Sequence, residues 1–86
     1  MMENEDIALK TISEEDINNR VKIARTEKDM TQQDLADAID VTRQTIGLIE
    51  NQKYNPTIIL CLKLSHVLDV SLEKLFWLEV KSNEKR

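Results

Sequence analysis

The sequence predicts a small all-α protein built from five short helices. One proline, one glycine and 3% aromatic residues in 86 positions favour a helical bundle over a β-sandwich or barrel, which needs many turn residues. A hydroxyl residue flanked by apolar residues, the pattern of a helix cap with a hydrophobic staple, recurs at Thr31, Thr42 and Ser71. We therefore expect one helical domain at 13–78, with a polar tail at 79–86.

The first predicted helix covers residues 14–28. Ser13 and Asp16 are spaced as a capping box, and Ile12 and Ile17 are placed to staple across it. Residues 1–12 are expected to be a mobile acidic arm, or alternatively a partner-binding segment that uses Ile7, Leu9 and Ile12. The residues expected on the buried side of the helix are Ile17, Val21 and Ala24, with Ile23 at its flank.

Two further helices are predicted at 32–39 and 43–51, joined by a tight turn. Their caps, Thr31 and Thr42, lie eleven residues apart, which leaves room for one helix and a turn before the next helix begins. A small residue, Ala36, would let the two backbones approach where the helices cross. This is the outline of a helix-turn-helix, with a generic helical hairpin as the alternative.

The last two helices are predicted at 58–68, after Pro56 and the cap Thr57, and at 72–77, after Ser71. The fourth helix has more apolar surface than one packing face needs, so part of it is available for an oligomer contact. Its expected packing face contains Ile58, Cys61, Leu62, Ser65 and Leu68, and its further apolar flank contains Leu60, Leu64 and Val67.

The charge distribution is unusual for a nucleic-acid-binding protein, which should be basic. The formal net charge is −4. Residues 1–17 contain six acids and one lysine, a net of −5, while residues 18–86 contain ten acids and eleven bases, a net of +1. A nearly neutral body predicts modest affinity per subunit and a shallow salt dependence, and so favours a dimer.

Several classes of protein are not expected from this sequence. It has no apolar run long enough to span a bilayer and no hydrophobic signal core near its start, so we expect a cytoplasmic protein. Cys61 has no partner for a disulfide or a metal site, and His66 is expected to be a surface histidine. No nucleophile has a positioned base, so we expect neither an enzyme nor a bound cofactor, metal or small molecule.

The first turn of the third helix contains side chains that can contact DNA bases. Arg43 is suited to the O6 and N7 atoms of guanine, and Gln44 to the N6 and N7 atoms of adenine, each through paired hydrogen bonds. A solvated helix face more typically contains glutamate and lysine than the sequence Arg43-Gln44-Thr45. These residues make DNA binding the leading hypothesis.

Residues 18–76 resemble the lambda-repressor/Cro-type helix-turn-helix domain of Xre family transcriptional regulators. The resemblance implies a five-helix, lambda-repressor-like DNA-binding fold. It is carried by Arg20-Val21-Lys22, Arg25, Met30-Thr31-Gln32-Gln33-Asp34-Leu35-Ala36, Val41-Thr42-Arg43-Gln44-Thr45-Ile46, Ile49-Glu50-Asn51, Lys53-Tyr54-Asn55-Pro56-Thr57 and Val70-Ser71-Leu72-Glu73-Lys74-Leu75-Phe76.

The resemblance also implies roles for individual residues. Arg43 and Gln44 would contact bases, assisted by Thr42 or Thr45. Leu48 would contact a thymine methyl group or be an ordinary exposed leucine. Arg25 and Glu50 would form a largely buried salt bridge between the first and third helices. The expected phosphate contacts are Gln32, Asn51, Lys53 and Tyr54.

Three positions depart from the family pattern. Asp40 occupies the turn where the family usually has a glycine with positive φ, a conformation that aspartate tolerates. Gln52 stands where glycine commonly closes the recognition helix, which leaves the geometry of that loop open. Gly47 lies inside the recognition helix, where it either allows close approach to the groove or marks a position without contact.

The function predicted from these observations is that of a transcriptional repressor that binds a palindromic operator in double-stranded DNA as a homodimer. The alternatives are an antitoxin that captures a toxin through its acidic arm or apolar tail, and a helix-turn-helix used as a coactivator bridge. The residues predicted for a dimer contact are Leu60, Val67, Trp77 and Leu78.

Overall fold

The computed structural model describes residues 11–13 and 16–79 and contains five α-helices and a two-stranded antiparallel sheet. The mostly helical prediction is confirmed, but the all-α prediction omits the sheet. No helix in the described residues is long and apolar enough to cross a bilayer. The elements are β1 Ile17–Asn19, α1 Val21–Glu27, α2 Gln32–Ile39, α3 Arg43–Glu50, α4 Ile58–Leu68, α5 Leu72–Leu75 and β2 Phe76–Leu78.

The predicted start of the first helix is wrong. Ile17–Asn19, expected within the helix, instead form β1, and α1 begins at Val21. The backbone amide of Ser13 donates to Asp16 Oδ2 at 3.1 Å, and that of Asp16 donates to the Ser13 carbonyl at 3.0 Å, which makes a local turn before the strand. Asn19 Oδ1 accepts a hydrogen bond from the Val21 amide at 3.0 Å and so satisfies one amide at the helix start. Most of the predicted arm, 1–12, lies outside the described residues.

The predicted fifth helix, 72–77, is too long by two residues because its end joins the sheet. α5 ends at Leu75, and β2 pairs with β1 in the register Ile17 to Leu78, Asn18 to Trp77 and Asn19 to Phe76. The amide of Arg20 donates to the Leu75 carbonyl at 2.9 Å, which extends the pairing beyond the strands. Aromatic residues such as Phe76 and Trp77 favour strands, and here a partner strand was available.

Most helix starts follow the predicted caps. Thr31, Thr42 and Thr57 each accept a hydrogen bond from a backbone amide three residues later. At α2 the capping box is complete, since Asp34 also accepts from the Thr31 amide at 3.0 Å. Ser71 precedes α5 without a side-chain cap. Local side-chain chemistry therefore sets the starts of α2, α3 and α4.

The core lies between the five helices, and on α4 it uses the predicted flank together with Leu68 of the predicted packing face. Leu64 and Leu68 are buried, and Leu60 and Val67 pack against the core. Ile58 and Leu62, expected on the packing face, are 62% and 53% exposed. The buried apolar residues are Val21, Ala24, Leu35, Ala36, Ile39, Ile46, Ile49, Leu64, Leu68 and Leu75.

A mostly buried ion pair joins the first and third helices. Arg25 Nε lies 2.7 Å from Glu50 Oε2, and the two side chains are 10% and 3% exposed. Arg25 Nη1 also donates to the Met30 carbonyl at 2.9 Å, and Gln32 Nε2 donates to Glu50 Oε1 at 3.0 Å. The two charges therefore have hydrogen-bond partners beyond each other, as buried charges require.

Replacement of Glu50 by alanine is expected to lower the free energy of unfolding by about 3–5 kcal/mol, because it leaves the Arg25 guanidinium buried without a counter-charge. Urea unfolding monitored by circular dichroism measures this. Glu27→Ala is the matched control, since Glu27 is exposed at the end of α1. Its effect should stay within about 0.5 kcal/mol. Equal effects of the two substitutions would contradict a structural role for the pair.

Candidate nucleic-acid interface

The turn between α2 and α3 has the backbone conformation expected for the motif. Asp40 adopts the left-handed region, with φ 63° and ψ 52°. Its amide and that of Val41 both donate to the Ala36 carbonyl, which closes the end of α2. Aspartate thus takes the conformation that glycine more commonly supplies, and the predicted departure at this position leaves the motif intact.

The buried side of α3 holds the helix against the core and leaves its other side in solvent. Ile46 and Ile49 are 0% and 1% exposed. With roughly 100° between successive residues of a helix, the opposite side presents one continuous stripe. This stripe, called the α3 outer face below, consists of Arg43, Gln44, Gly47, Leu48 and Asn51.

The α3 outer face combines groups that suit base edges with an absence of negative charge. Arg43, Gln44 and Leu48 are exposed, and none of the five residues is acidic. The acidic residue of this helix, Glu50, forms an ion pair with Arg25 on the buried side. A phosphate backbone approaching this face would meet a cation and neutral donors.

Two predicted site residues, Thr42 and Thr45, form hydrogen bonds with each other at the start of α3. Thr42 Oγ1 accepts from the Thr45 amide at 3.1 Å and lies 3.0 Å from Thr45 Oγ1. Thr45 is partly buried, whereas Thr42 is exposed. The cap therefore fixes the orientation of both hydroxyl groups and of the backbone next to Arg43 in the absence of a ligand.

Gln32 lies between the buried ion pair and the α3 outer face, a position that the sequence analysis did not predict. Its Nε2 donates to Glu50 Oε1 at 3.0 Å, and its Oε1 accepts from Arg43 Nη1 at 3.5 Å. The amide of Gln32 therefore bridges a buried carboxylate and an exposed guanidinium. Gln32 and Arg43 each follow a helix cap, Thr31 and Thr42, but their separation in the sequence does not by itself indicate that the two side chains meet.

The loop after α3 places the other predicted site residues at the far end of the same helix. Asn51, Lys53 and Tyr54 are exposed. Gln52 takes a positive φ of 61°, and its Nε2 donates to the Ile17 carbonyl of β1 at 2.9 Å. The helix therefore closes with the geometry that glycine usually provides, and the glutamine side chain also attaches the loop to the sheet.

The remaining residues considered in the sequence analysis lie away from this surface. Cys61 and His66 are on α4, and burial raises the pKa of the Cys61 thiol above its ordinary value of 9.0. Across residues 11–13 and 16–79, no three His, Cys, Asp or Glu side chains are grouped so that they could hold a metal ion. Trp77 and Leu78 are on β2, where the Trp77 ring lies 6.0 Å below the Arg20 guanidinium.

The chain is similar over most of its length to proteins named as HTH-type transcriptional regulators. A family model described as helix-turn-helix matches residues 21–75. An uncharacterized HTH-type transcriptional regulator, YgzD of Bacillus subtilis, is 36% identical over 63 residues, which cover 73% of this chain and 96% of the relative. The regulator MJ0272 of Methanocaldococcus jannaschii, also uncharacterized, is 38% identical over 60 residues, covering 70% and 91% of the two chains.

Solved structures show the same fold. A candidate DNA-binding protein from Bacteroides fragilis superposes with a TM-score of 0.65 at 26% identity, over 71% of this chain and 98% of that protein. The restriction-modification controller protein C.AhdI of Aeromonas hydrophila superposes with a TM-score of 0.62 at 32% identity, over 66% and 86%.

Gly47→Ala is expected to raise the free energy of unfolding by about 0.8–1 kcal/mol, because alanine has the higher helix propensity. A Cβ at this position would meet Gln32 Nε2 at 3.8 Å, an ordinary van der Waals distance. Urea unfolding tests this, with the reverse substitution Ala38→Gly, at an exposed position of α2, as the control of opposite sign. A lower stability of Gly47→Ala would show that the helix requires glycine.

Proposed function

This chain belongs to the helix-turn-helix family of DNA-binding transcriptional regulators, and on that premise we propose that it binds a palindromic operator as a homodimer and represses transcription. The observation that supports this most directly is the α3 outer face, an exposed stripe without acidic residues on a helix whose opposite side is buried. Such a helix fits the major groove with its first turn toward the bases.

Base contacts in this proposal come from the first turn of α3. Arg43 forms paired hydrogen bonds with a guanine and Gln44 with an adenine. Gln32 holds the Arg43 guanidinium at the edge of the helix, and Thr42 and Thr45 support the same turn. Leu48, one turn further along, contacts a thymine methyl group. Gly47 lies between these side chains and lets the helix backbone approach the groove.

Phosphate contacts come from the two ends of the motif. Asn51, Lys53 and Tyr54 follow α3 and are exposed, and the backbone amide of Gln32 lies in the unpaired first turn of α2. These few contacts give one subunit little affinity, because residues 18–86 carry a formal charge of only +1. Two half-sites bound together would supply the missing affinity and specificity.

Repression requires only that the operator is occupied, which a DNA-binding domain achieves by itself. We propose that the protein acts in the cytoplasm on double-stranded DNA. Selection of bound duplexes from a random pool at about 100 mM salt tests the binding mode. Enrichment of an inverted repeat with half-sites about 10 base pairs apart would support it. No enrichment, from folded protein, would favour the antitoxin or another protein-interaction function.

Arg43→Ala is expected to remove the base preference at one position of each half-site, at a cost of about 1–3 kcal/mol of discrimination, because the paired guanine contact is lost. Binding to a panel of single-base operator variants measures this. Arg20→Ala is the charge-matched control, since Arg20 lies over Trp77 rather than on α3. An equal loss of affinity on every DNA sequence would contradict base contact by Arg43.

Lys53→Ala is expected to weaken binding to all sequences alike and to flatten the plot of log affinity against log salt by about one unit, because one phosphate contact is lost. Titrations at several salt concentrations measure the slope. Lys74→Ala, at an exposed position of α5, removes the same charge elsewhere and should leave the slope unchanged. An unchanged slope for Lys53→Ala would remove this residue from the phosphate contacts.

A further inference from the structure

One side of α4 exposes a cluster of large aliphatic side chains. Ile58 and Ile59 are each 62% exposed and Leu62 is 53% exposed, although the opposite side of the helix supplies Leu64 and Leu68 to the core. Leu62 follows Ile59 by three residues and Ile58 by four, spacings at which helix side chains are neighbours, so the three share one surface. Isolated exposed leucines are common, but contiguous aliphatic groups mark interaction sites. We refer to these three residues as the α4 stripe.

An open groove lies beside the α4 stripe, between α4 and the end of α2. Ile59 and Leu62 form one wall, Ala38 and Ile39 line the α2 side, and the volume is about 490 Å³. A protruding aliphatic ridge and an adjacent apolar groove are thus present on the same subunit. This is the arrangement that a two-fold symmetric contact requires, because the same patch must fit itself.

The charges at the groove are also self-complementary. Asp40 lies at its α2 side and Lys63 at its α4 side, and both are exposed. In the described part of the chain these two residues form no ion pair with each other, since the ion pair found there is Arg25 with Glu50. A second copy related by a two-fold axis can place its lysine beside Asp40 and its aspartate beside Lys63.

We propose that a second copy of this chain covers the α4 stripe, with the stripe of each subunit in the groove of the other and Lys63 of each facing Asp40 of the other. This inference rests on the proposed function, which requires two subunits, and it assigns the surface through which they bind. Of the residues predicted from the sequence for a dimer contact, Leu60 and Val67 are partly buried and pack against the core, and Val67 also lines the groove. Trp77 is 36% exposed, less than any residue of the stripe.

Sedimentation equilibrium of the full chain, free and bound to its operator, tests the assignment. Ile59→Glu should raise the dimer dissociation constant about tenfold or more, because it puts a charge where the proposed dimer buries an isoleucine. Ile23→Glu is the matched control: Ile23 is 50% exposed on α1, outside the groove, and its replacement should leave the constant unchanged. Circular dichroism checks that both variants remain folded.

A charge reversal gives an independent test of the orientation. Lys63→Glu should weaken the dimer by placing its carboxylate beside Asp40 of the other subunit, and Asp40→Asn in the same chain should restore much of the affinity. Asparagine keeps the left-handed conformation accessible at this position. Equal dimerisation of the Lys63→Glu single variant and the double variant would overturn the proposed pairing.

Binding to a full operator and to a single half-site separates the two proposals. If Ile59→Glu keeps its base preference on a half-site but loses tight binding to the full operator, both stand. If wild-type protein is a sequence-specific dimer that Ile59→Glu leaves intact, the α4 interface is wrong and the function stands. If wild type shows no base preference but Ile59→Glu still dissociates the free dimer, the function fails and the interface stands. A wild type that is monomeric both free and on DNA overturns the interface.

Discussion

The Arg25–Glu50 ion pair is the contact that connects the interior of this domain to its outer surface. Arg25 is on α1 and Glu50 is the last residue of α3, so their bond sets the position of one end of α3 relative to the rest of the bundle. A mostly buried charge that lacks its partner destabilises the fold, so α1 and α3 must be placed so that Arg25 and Glu50 meet. Gln32 continues the network from Glu50 to Arg43, which lies on the outer face.

The small sheet provides a second anchor for the same helix. Asn19 Nδ2 donates to the Ile49 carbonyl at 3.0 Å, near the end of α3, and Gln52 Nε2 donates to the Ile17 carbonyl. β1 in turn pairs with β2, which follows the last helix. The sheet therefore joins the two ends of the domain and contacts the end of α3. Its hydrogen bonds with Ile49 and Gln52 hold the start of the loop that contains Lys53.

This architecture fits a regulator that depends on shape more than on charge. The domain is nearly neutral outside its acidic first residues, so nonspecific attraction to phosphates contributes little. In the proposed binding mode, specificity would depend on a few side chains of α3 and on the combination of two subunits. Preorganisation by the caps, the ion pair and the sheet reduces the entropy that would be lost on ordering this surface at the DNA.

The sequence by itself determined the elements that depend on local chemistry. The caps at Thr31, Thr42 and Thr57 and the tight turn at Asp40 could be located because each depends on residues within four positions along the chain. The same local signals placed Arg43 and Gln44 at the first turn of α3. The helix-turn-helix and its candidate site were therefore predictable.

Only the tertiary structure decided the features that depend on distant contacts. Ile17–Asn19 became a strand because Phe76–Leu78 lies beside it, and no pattern near the start of the chain indicates that partner. Both flanks of α4 are apolar, so helical periodicity could not show that Leu64 faces the core while Ile59 faces solvent. The packing of α4 against α1 and α2 made that choice, since burial is decided by the neighbours that a helix meets and not by its own sequence alone.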